Sequence, residues 1–233
     1  MSTENIYVHP LSEETIQQYK EILKHQGYIY IADLPDNFNY LHLVQQFGQP
    51  TPQYNGQLVY SIKPDPQFAN SYHALNNQPL LPHTECFEFQ GPPPRYLGLW
   101  CIKAAEDGAG QTTLADAYTF ISSLTTEERH KLASSICQFS YAGQATEHPI
   151  YDLSVDSEAP ILRCSFRFLD AMHDPFITDI RQRLWEFFEQ THISIFYKKN
   201  SIVIWDNWRM LHARSAFEDQ SRHLERVWLS MVD

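Results

Sequence analysis

Apolar residues recur at helical spacing near the start of the chain. In SEETIQQYKEILKHQG they fall three or four positions apart from Ile16 to Leu23, with Ser12 suited to cap the helix at its start and Gly27 to end it. The next segment, GYIYIADL, is rich in Ile and Tyr and favours a strand. FNYLHLVQQFG, which ends at Gly48, returns to a helical period. The chain is therefore predicted to open with a helix, a strand and a second helix.

From about residue 57 the pattern changes to short β-branched and aromatic runs. Pro, Asn, Asp and Gly separate these runs, as is typical of strands joined by turns; the runs are LVYSI, YLGLWCI, ILRCSFRF, SIVIW and RVWLSMV. Two amphipathic helices interrupt them, one with a Thr125 and Glu128 capping box and the other with Asp174 as N-cap before Pro175. Strands and helices do not alternate regularly. We therefore predict a mainly β fold, an antiparallel closed or sandwiched barrel with peripheral helices.

Composition narrows the functional classes. The chain has 233 residues, 43% of them hydrophobic, so a single domain with one core is predicted over residues 1–233. A formal net charge of −11 argues against a nucleic-acid partner, and no apolar run is long enough to span a membrane. The opening residues MSTENIYVHP lack the basic and apolar regions of a secretion signal, so the cytoplasm is the expected compartment. The four cysteines form no C-x-x-C pair and are expected to be buried free thiols.

The first candidate ligand of a metal site is His83, which is followed by a carboxylate at strand spacing. In LLPHTECFEF, Glu85 lies two residues after His83, and this separation in an extended chain points both side chains to the same face. Two histidines and one carboxylate on one face of the ion form the non-haem Fe(II) arrangement, which leaves positions open for substrate and oxygen. A second histidine from elsewhere in the chain would complete such a site.

The candidate for this second histidine is His212. It lies in SIVIWDNWRMLHARSAFEDQSRHLERVWLSMV, where Arg222 and Arg226 follow it. The polar stretch AFEDQSRH is suited to a hairpin connection that brings the chain back beside His212. Because guanidinium groups hold carboxylates through paired hydrogen bonds, these residues predict a metal with an anion socket beside it.

The chain resembles the TauD/TfdA family of Fe(II)/2-oxoglutarate-dependent dioxygenases, in its clavaminate synthase-like, H-x-E variant. The segments that carry the resemblance are PHTE, PPPRYLGLWC, GAGQTTLADAY, WDNWRMLHARSAF and RHLERVW. The resemblance implies a double-stranded β-helix, or jelly roll, with decorating helices, in agreement with the β-rich pattern. It also implies Fe(II), the cosubstrates 2-oxoglutarate and O2, and hydroxylation or desaturation of a C–H bond of a small molecule, with formation of succinate and CO2.

Position by position, the resemblance implies roles for five residues. His83, Glu85 and His212 correspond to the metal ligands of the catalytic centre. Thr112 and Arg222 correspond to residues that bind the distal carboxylate of 2-oxoglutarate. Many members have aspartate where Glu85 stands, but a subset of relatives that act on amino acids has H-x-E as this chain does. An amino acid or an amino-acid derivative is therefore the expected substrate. A carboxylate at this position also speaks against halogenation.

Some assignments stay open at this stage. Thr113 is the alternative to Thr112 as the cosubstrate ligand. Arg226 either faces an acidic group of the primary substrate or forms a salt bridge to Glu218 or Glu225.

Two further sets of residues have alternative interpretations. In ILRCSFRF, strand alternation would place Arg163, Ser165 and Arg167 on one face, either to bind a substrate carboxylate or as a solvated surface. The second set either orients the ligands and walls the pocket or packs in the core; its members are Trp100, Trp205, Asp206, Asn207, Trp208 and Trp228.

Two alternatives to an oxygenase are also open. A zinc hydrolase would use the same His, Glu and His ligands to activate water, although this leaves Arg222 unexplained. A non-catalytic jelly-roll binding protein would bury His83 and His212 without a metal. The sequence predicts no particular oligomeric state.

Overall fold

The computed structural model describes residues 12–141, 143–154 and 159–231, so the opening segment on which the cytoplasmic prediction rests lies outside it. The helices are α1 (Glu13–Gln26), α2 (Tyr40–Val44), α3 (Ala117–Ser123), α4 (Thr126–Ser134) and α5 (Pro175–Thr191), with a short 3-10 helix at Pro66–Phe68. The strands are β1 (Tyr28–Ile31), β2 (Gln49–Thr51), β3 (Val59–Ile62), β4 (Leu80–His83), β5 (Tyr96–Lys103), β6 (Thr112–Asp116), β7 (Ile136–Tyr141), β8 (Gln144–Pro149), β9 (Tyr151–Asp152), β10 (Ile161–Leu162), β11 (Leu169–Asp170), β12 (Ile193–Ile195), β13 (Ile202–Asp206), β14 (Met210–Arg214) and β15 (His223–Ser230).

Antiparallel pairing assembles most of these strands into two sheets. The larger sheet has the order β1-β13-β5-β15-β2, with β3 also paired to β15, and the smaller has the order β12-β6-β14-β4. Their side chains meet in a shared apolar layer, which includes Leu99 and Trp205 from the larger sheet and Leu114 and Met210 from the smaller. Two antiparallel sheets packed face to face form the double-stranded β-helix. The predicted fold class is therefore confirmed.

The outer face of the larger sheet is covered by α1 and α2. Strand β13 is buried along its whole length, because Val203 faces the layer between the sheets while Ile202 and Ile204 face the helices. The predicted ends of α1 are confirmed. The Ser12 side chain accepts a hydrogen bond from a backbone amide in the first turn, and Gly27 has a φ of 81°.

The remaining helices form a second core with the short sheets β11-β7-β8 and β10-β9. The apolar stripe of α5 is buried here, and Asp174 caps this helix directly before Pro175 as predicted. The capping box of Thr125 and Glu128 at the start of α4 is also present.

Some predicted element boundaries are wrong, and some elements of the structure were not predicted. Helix α2 ends at Val44 rather than at Gly48, because the chain leaves the helix to pair β2 with β15. A Cβ at Gly48 would lie 2.5 Å from the Ser230 carbonyl oxygen, so this close approach requires glycine. Helix α3 and the β7-β8 hairpin were not predicted. The ILRCSFRF segment is a strand only at Ile161–Leu162.

Two expectations from composition can be compared with the described residues. All four cysteines are buried and free, as expected. None of the helices in the described part of the chain is both long enough and apolar enough to cross a membrane.

Candidate active site

Three metal-binding side chains converge where β4 meets β14. The two strands pair in antiparallel fashion with His212 opposite His83, and their imidazole rings lie 4.1 Å apart. Glu85 follows β4 and places its Oε2 atom 3.8 Å from His83 Nε2 and 3.6 Å from His212 Nε2. The three ligand atoms all lie within 4.8 Å of one another. The cross-strand register thus brings the distant His212 to the H-x-E segment.

The protonation states at this cluster suit a divalent metal. Burial, reinforced by the neighbouring His212, lowers the pKa of His83 to about 3. Burial acts to raise the pKa of Glu85, but Arg226 and the two histidines outweigh it and lower that pKa to about 2. Metal ions bind neutral imidazole and ionised carboxylate. The donor set therefore fits the Fe(II) ion that the sequence predicts.

A backbone hydrogen bond fixes the orientation of His83. Its Nδ1 atom lies 2.8 Å from the Leu81 carbonyl oxygen, which accepts the Nδ1–H. The lone pair of Nε2 is left free on the side of Glu85. Partners of this kind, which hold the second ring nitrogen, set both the tautomer and the ring plane of a metal-ligating histidine.

Asn207 fixes the backbone at Glu85. The Asn207 side chain is fully buried, and its Oδ1 accepts a hydrogen bond from the Glu85 amide at 2.7 Å. Its Nδ2 donates to the carbonyl oxygens of Glu85 and Pro94, each at 3.0 Å. Asn207, one of the residues expected to orient the metal ligands or to pack in the core, therefore positions Glu85 through its backbone. Trp205 also lies at the site, with its ring 5.0 Å from that of His212.

Replacing Asn207 with leucine is expected to destabilise both the fold and the site. The change keeps the volume but leaves the three backbone groups unpaired, which costs about 3 kcal/mol and lowers the melting temperature by roughly 6–12 °C. Mn(II) affinity should also fall, because Glu85 loses its fixed position. The control is Asn70→Leu at an exposed position. Equal melting temperatures for the two variants would contradict this role of Asn207.

The cluster lies in a cavity of about 400 Å³ that also contains the predicted cosubstrate residues. Thr112 lines it, and the Thr112 hydroxyl hydrogen-bonds the Tyr197 hydroxyl at 2.7 Å. Thr113, the alternative, is absent from the lining. Arg222 is 2% exposed and donates from Nη2 to the Gly110 carbonyl oxygen at 2.7 Å.

The guanidinium of Arg222 is a buried cation with spare hydrogen-bonding capacity. Its Nη1 atom is buried without a hydrogen-bond partner, and within the described ranges no acidic side chain pairs with Arg222. Such a group is costly unless an anion pairs with it. The residue therefore fits the distal carboxylate of 2-oxoglutarate, as the sequence predicts.

Gly110 leaves the space that Arg222 occupies. A Cβ at Gly110 would lie 2.6 Å from Arg222 Nε, and Gly110 has a φ of +68°. We expect Gly110→Ala to displace the guanidinium and to raise the half-saturating 2-oxoglutarate concentration by about tenfold. Gly108→Ala is the matched control, since Gly108 has a φ of +71° and nothing within 4 Å of its Cβ position. An equal loss of 2-oxoglutarate affinity in both variants would show that backbone strain, and not the contact with Arg222, is the cause. Wild-type affinity in Gly110→Ala would contradict the prediction.

Arg226 forms a salt bridge, but with a different partner from those predicted. Its Nη1 lies 2.6 Å from Glu85 Oε1, whereas Glu225 accepts a hydrogen bond from Tyr40. Gln53 braces this arginine, because Gln53 Oε1 accepts from Arg226 Nε at 2.8 Å. Arg226 therefore lies beside the metal-binding cluster and lines the cavity. Its contact with the primary substrate stays a prediction.

The predicted basic face at Arg163, Ser165 and Arg167 does not exist. Arg163 is 1% exposed and donates to the backbone carbonyls of Phe89 and Gly91 at 3.0 and 2.8 Å. Arg167 is exposed, and only Ser165 lines the cavity. Strand alternation fails here because β10 ends at Leu162 and a turn follows at residues 166–168. Arg163 thus holds the segment after Glu85 in place and is not free to bind a substrate carboxylate.

Arg214 was missed by the sequence analysis. It is 7% exposed, lines the cavity, and donates to the Ala74 carbonyl oxygen and to Asn76 Oδ1, each at 2.7 Å. Its place two residues after His212 on a strand was the signal, because alternate residues share a face. Gln53 was also missed, and no pattern in the sequence indicates it.

Comparisons with known proteins support the family resemblance that the sequence indicates. The profile of the family described as taurine catabolism dioxygenase TauD, TfdA family matches residues 5–228. A search of curated proteins finds no match. Asparagine oxygenase in complex with Fe(II), 2S,3S-3-hydroxyasparagine and succinate superimposes with a TM-score of 0.80 and 17% identity, covering 94% of this chain and 80% of that chain. The non-heme iron oxygenase OrfP in complex with Fe and alpha-ketoglutaric acid gives a TM-score of 0.78 and 19% identity, covering 95% and 81%.

At identities of 17% and 19% the solved structures show only the fold. The match to the family profile shows to which family the chain belongs. The profile spans almost the whole chain and includes the metal-binding residues and all the described residues that line the cavity. This chain belongs to the TauD/TfdA family of Fe(II)/2-oxoglutarate-dependent dioxygenases.

Proposed function

We propose that this protein hydroxylates or desaturates a C–H bond of an amino acid or an amino-acid derivative. It would hold Fe(II) through His83, Glu85 and His212, and 2-oxoglutarate through Thr112 and Arg222. The products would include succinate and CO2. The cytoplasmic location, predicted from the opening residues, and the absence of a nucleic-acid partner, predicted from the net charge, stay predictions.

One observation carries this proposal. A carboxylate and two imidazoles converge at 3.6–3.8 Å in the same cavity as a buried arginine that has, among the described residues, an unpaired donor and no acidic partner. A divalent metal satisfies the first group, and a carboxylate satisfies the second. 2-Oxoglutarate joins these requirements in one molecule, because it has a chelating end and a distal carboxylate.

The protein's own contribution is positioning and the exclusion of water. Bound Fe(II) with 2-oxoglutarate and O2 supplies the oxidising chemistry that no side chain can provide. His83 and Asn207 act through the backbone contacts that fix the ligand atoms. Trp205 and Phe87 line the cavity with apolar surface, which keeps water from the reacting centre and holds the substrate close.

An amino-acid substrate is supported by the size of the cavity and by the structural neighbours. About 400 Å³ suits a small molecule. OrfP has been solved with (3S)-hydroxy-L-Arg and asparagine oxygenase with a hydroxyasparagine. The zinc-hydrolase alternative gives no role to the unpaired Nη1 of Arg222, and a non-catalytic role gives none to the two imidazoles whose Nε2 atoms both lie within 4 Å of Glu85 Oε2.

The proposal is tested by incubating the purified protein with Fe(II), 2-oxoglutarate and O2 and measuring succinate across a panel of free and derivatised amino acids. Succinate should form only when all three are present, and a true substrate should stimulate it. Zn(II) in place of Fe(II) is the control and should give no succinate. Metal-dependent ester or amide hydrolysis without succinate would instead support the hydrolase.

A further inference from the structure

The cavity carries more positive than negative charge. Of the described residues that line it, Arg214, Arg222 and Arg226 are cationic, whereas Glu85 alone is acidic. Glu85 is already engaged with Arg226 at 2.6 Å. Fe(II) and the 2-oxoglutarate dianion carry opposite charges of equal size, so their binding leaves the excess unchanged. A free amino acid is a zwitterion without net charge and also leaves the excess unchanged, whereas a further cation on the substrate would find no acidic partner in this wall, and leaving it unpaired is costly.

Part of the cavity wall is a cluster of aromatic rings centred on Phe168. The centroid of the Phe168 ring lies 5.1 Å from that of Tyr141, 5.5 Å from that of Tyr72 and 6.0 Å from that of Phe87. All four rings line the cavity. Such a cluster offers flat apolar area and edge-to-face contacts to a ligand.

Aromatic rings also attract cations, but guanidinium groups already lie over tyrosines of this wall. Arg226 lies over the Tyr60 ring at 5.3 Å, and Arg167 lies over the Tyr72 ring at 5.7 Å. The positive field extends to His73, which also lines the cavity. Burial, together with Arg226 and Arg214, lowers the pKa of His73. Arg226 and Arg167 would repel a further cation placed against the Tyr60 or Tyr72 ring.

We propose that the cavity selects a substrate that joins a carboxylate to an uncharged, flat apolar body, and rejects one whose body ends in a cation. This inference rests on the proposed function and narrows its substrate class. It separates this protein from OrfP, which has been solved with hydroxylated derivatives of arginine.

The test is a calorimetric titration of the intact protein loaded with Mn(II) and 2-oxoglutarate. Two matched pairs have para substituents of equal size that differ in charge: 4-ethyl-L-phenylalanine against 4-(aminomethyl)-L-phenylalanine, and the N-acetyl derivatives of both. In each pair the ethyl compound should bind more tightly by about tenfold or more. Equal or tighter binding of an aminomethyl compound would overturn the inference. So would the failure of all four to bind to protein that has bound 2-oxoglutarate, whereas failure to bind 2-oxoglutarate itself counts against the proposed function.

The aromatic part of the claim is tested separately with Phe168→Leu, a change that keeps an apolar side chain and so protects the fold. It should weaken binding of the better phenylalanine compound by about 3- to 10-fold and leave 2-oxoglutarate affinity within about twofold. Phe196→Leu is the control, since Phe196 is 61% exposed and lies outside the cavity lining. Unchanged affinity in the Phe168 variant would overturn the assignment of a flat apolar body.

Discussion

Replacing His83 or His212 with alanine is expected to abolish turnover and to weaken Fe(II) binding by on the order of 100-fold or more. The reason is that the three ligand atoms lie within 4.8 Å of one another and no further His, Cys, Asp or Glu of the described residues joins the cluster. Fe(II) binding is measured by anaerobic equilibrium dialysis, and turnover by succinate formation. The fold should persist, because the change leaves the backbone pairing of β4 and β14 intact.

The control for this prediction is His25→Ala, at an exposed position near the end of α1. It should bind Fe(II) like the wild type. If the two cavity histidines were structural residues without a metal, their alanine variants would lose thermal stability while metal content stayed the same. That pattern would refute the metal site.

The second large effect is expected at Arg222. Removing one partner of a buried, charge-assisted pair costs on the order of 2–5 kcal/mol, so Arg222→Ala should raise the half-saturating 2-oxoglutarate concentration by more than about tenfold. Fe(II) binding should survive, because Arg222 is not a metal ligand. Arg222→Lys should recover only part of the affinity, since lysine retains the charge but not the planar fork.

Arg226→Ala is the comparison that separates the two arginines. Arg226 contacts Glu85 and Gln53, whereas Arg222 carries the unpaired Nη1. The Arg226 variant is therefore expected to impair use of the primary substrate more than binding of 2-oxoglutarate. If titration shows that Arg226 sets the cosubstrate affinity, the two roles must be exchanged.

The metal-binding cluster was accessible from sequence because its signals are local. His83 and Glu85 stand two residues apart in an H-x-E pattern, although β4 ends at His83 and Glu85 lies in a turn rather than in the extended segment that the sequence predicts. The sequence singles out His212 as the second histidine and the family resemblance supports it, but its pairing with His83 is a long-range register that no local pattern indicates. Helix caps such as Ser12 and Asp174 were predictable for the same local reason.

The errors arose where contacts distant in sequence override local preference. Arg163 lies in a segment with strand composition, yet its guanidinium is drawn to backbone carbonyls of the segment after Glu85, and the strand ends at Leu162. Gln53 acts through a side chain 173 positions away. The salt bridge of Arg226 was expected with Glu218 or Glu225, which are close in sequence, but its partner in the folded chain is the distant Glu85.

We propose that one chain builds a single site for Fe(II) and 2-oxoglutarate together. Anaerobic equilibrium dialysis of 2-oxoglutarate against the purified protein, with and without Fe(II), tests this coupling. We expect one 2-oxoglutarate bound per chain when Fe(II) is present, and much weaker binding without Fe(II) or in the His212→Ala variant. Binding of 2-oxoglutarate that is independent of Fe(II) and of His212, or no binding at all, would contradict it.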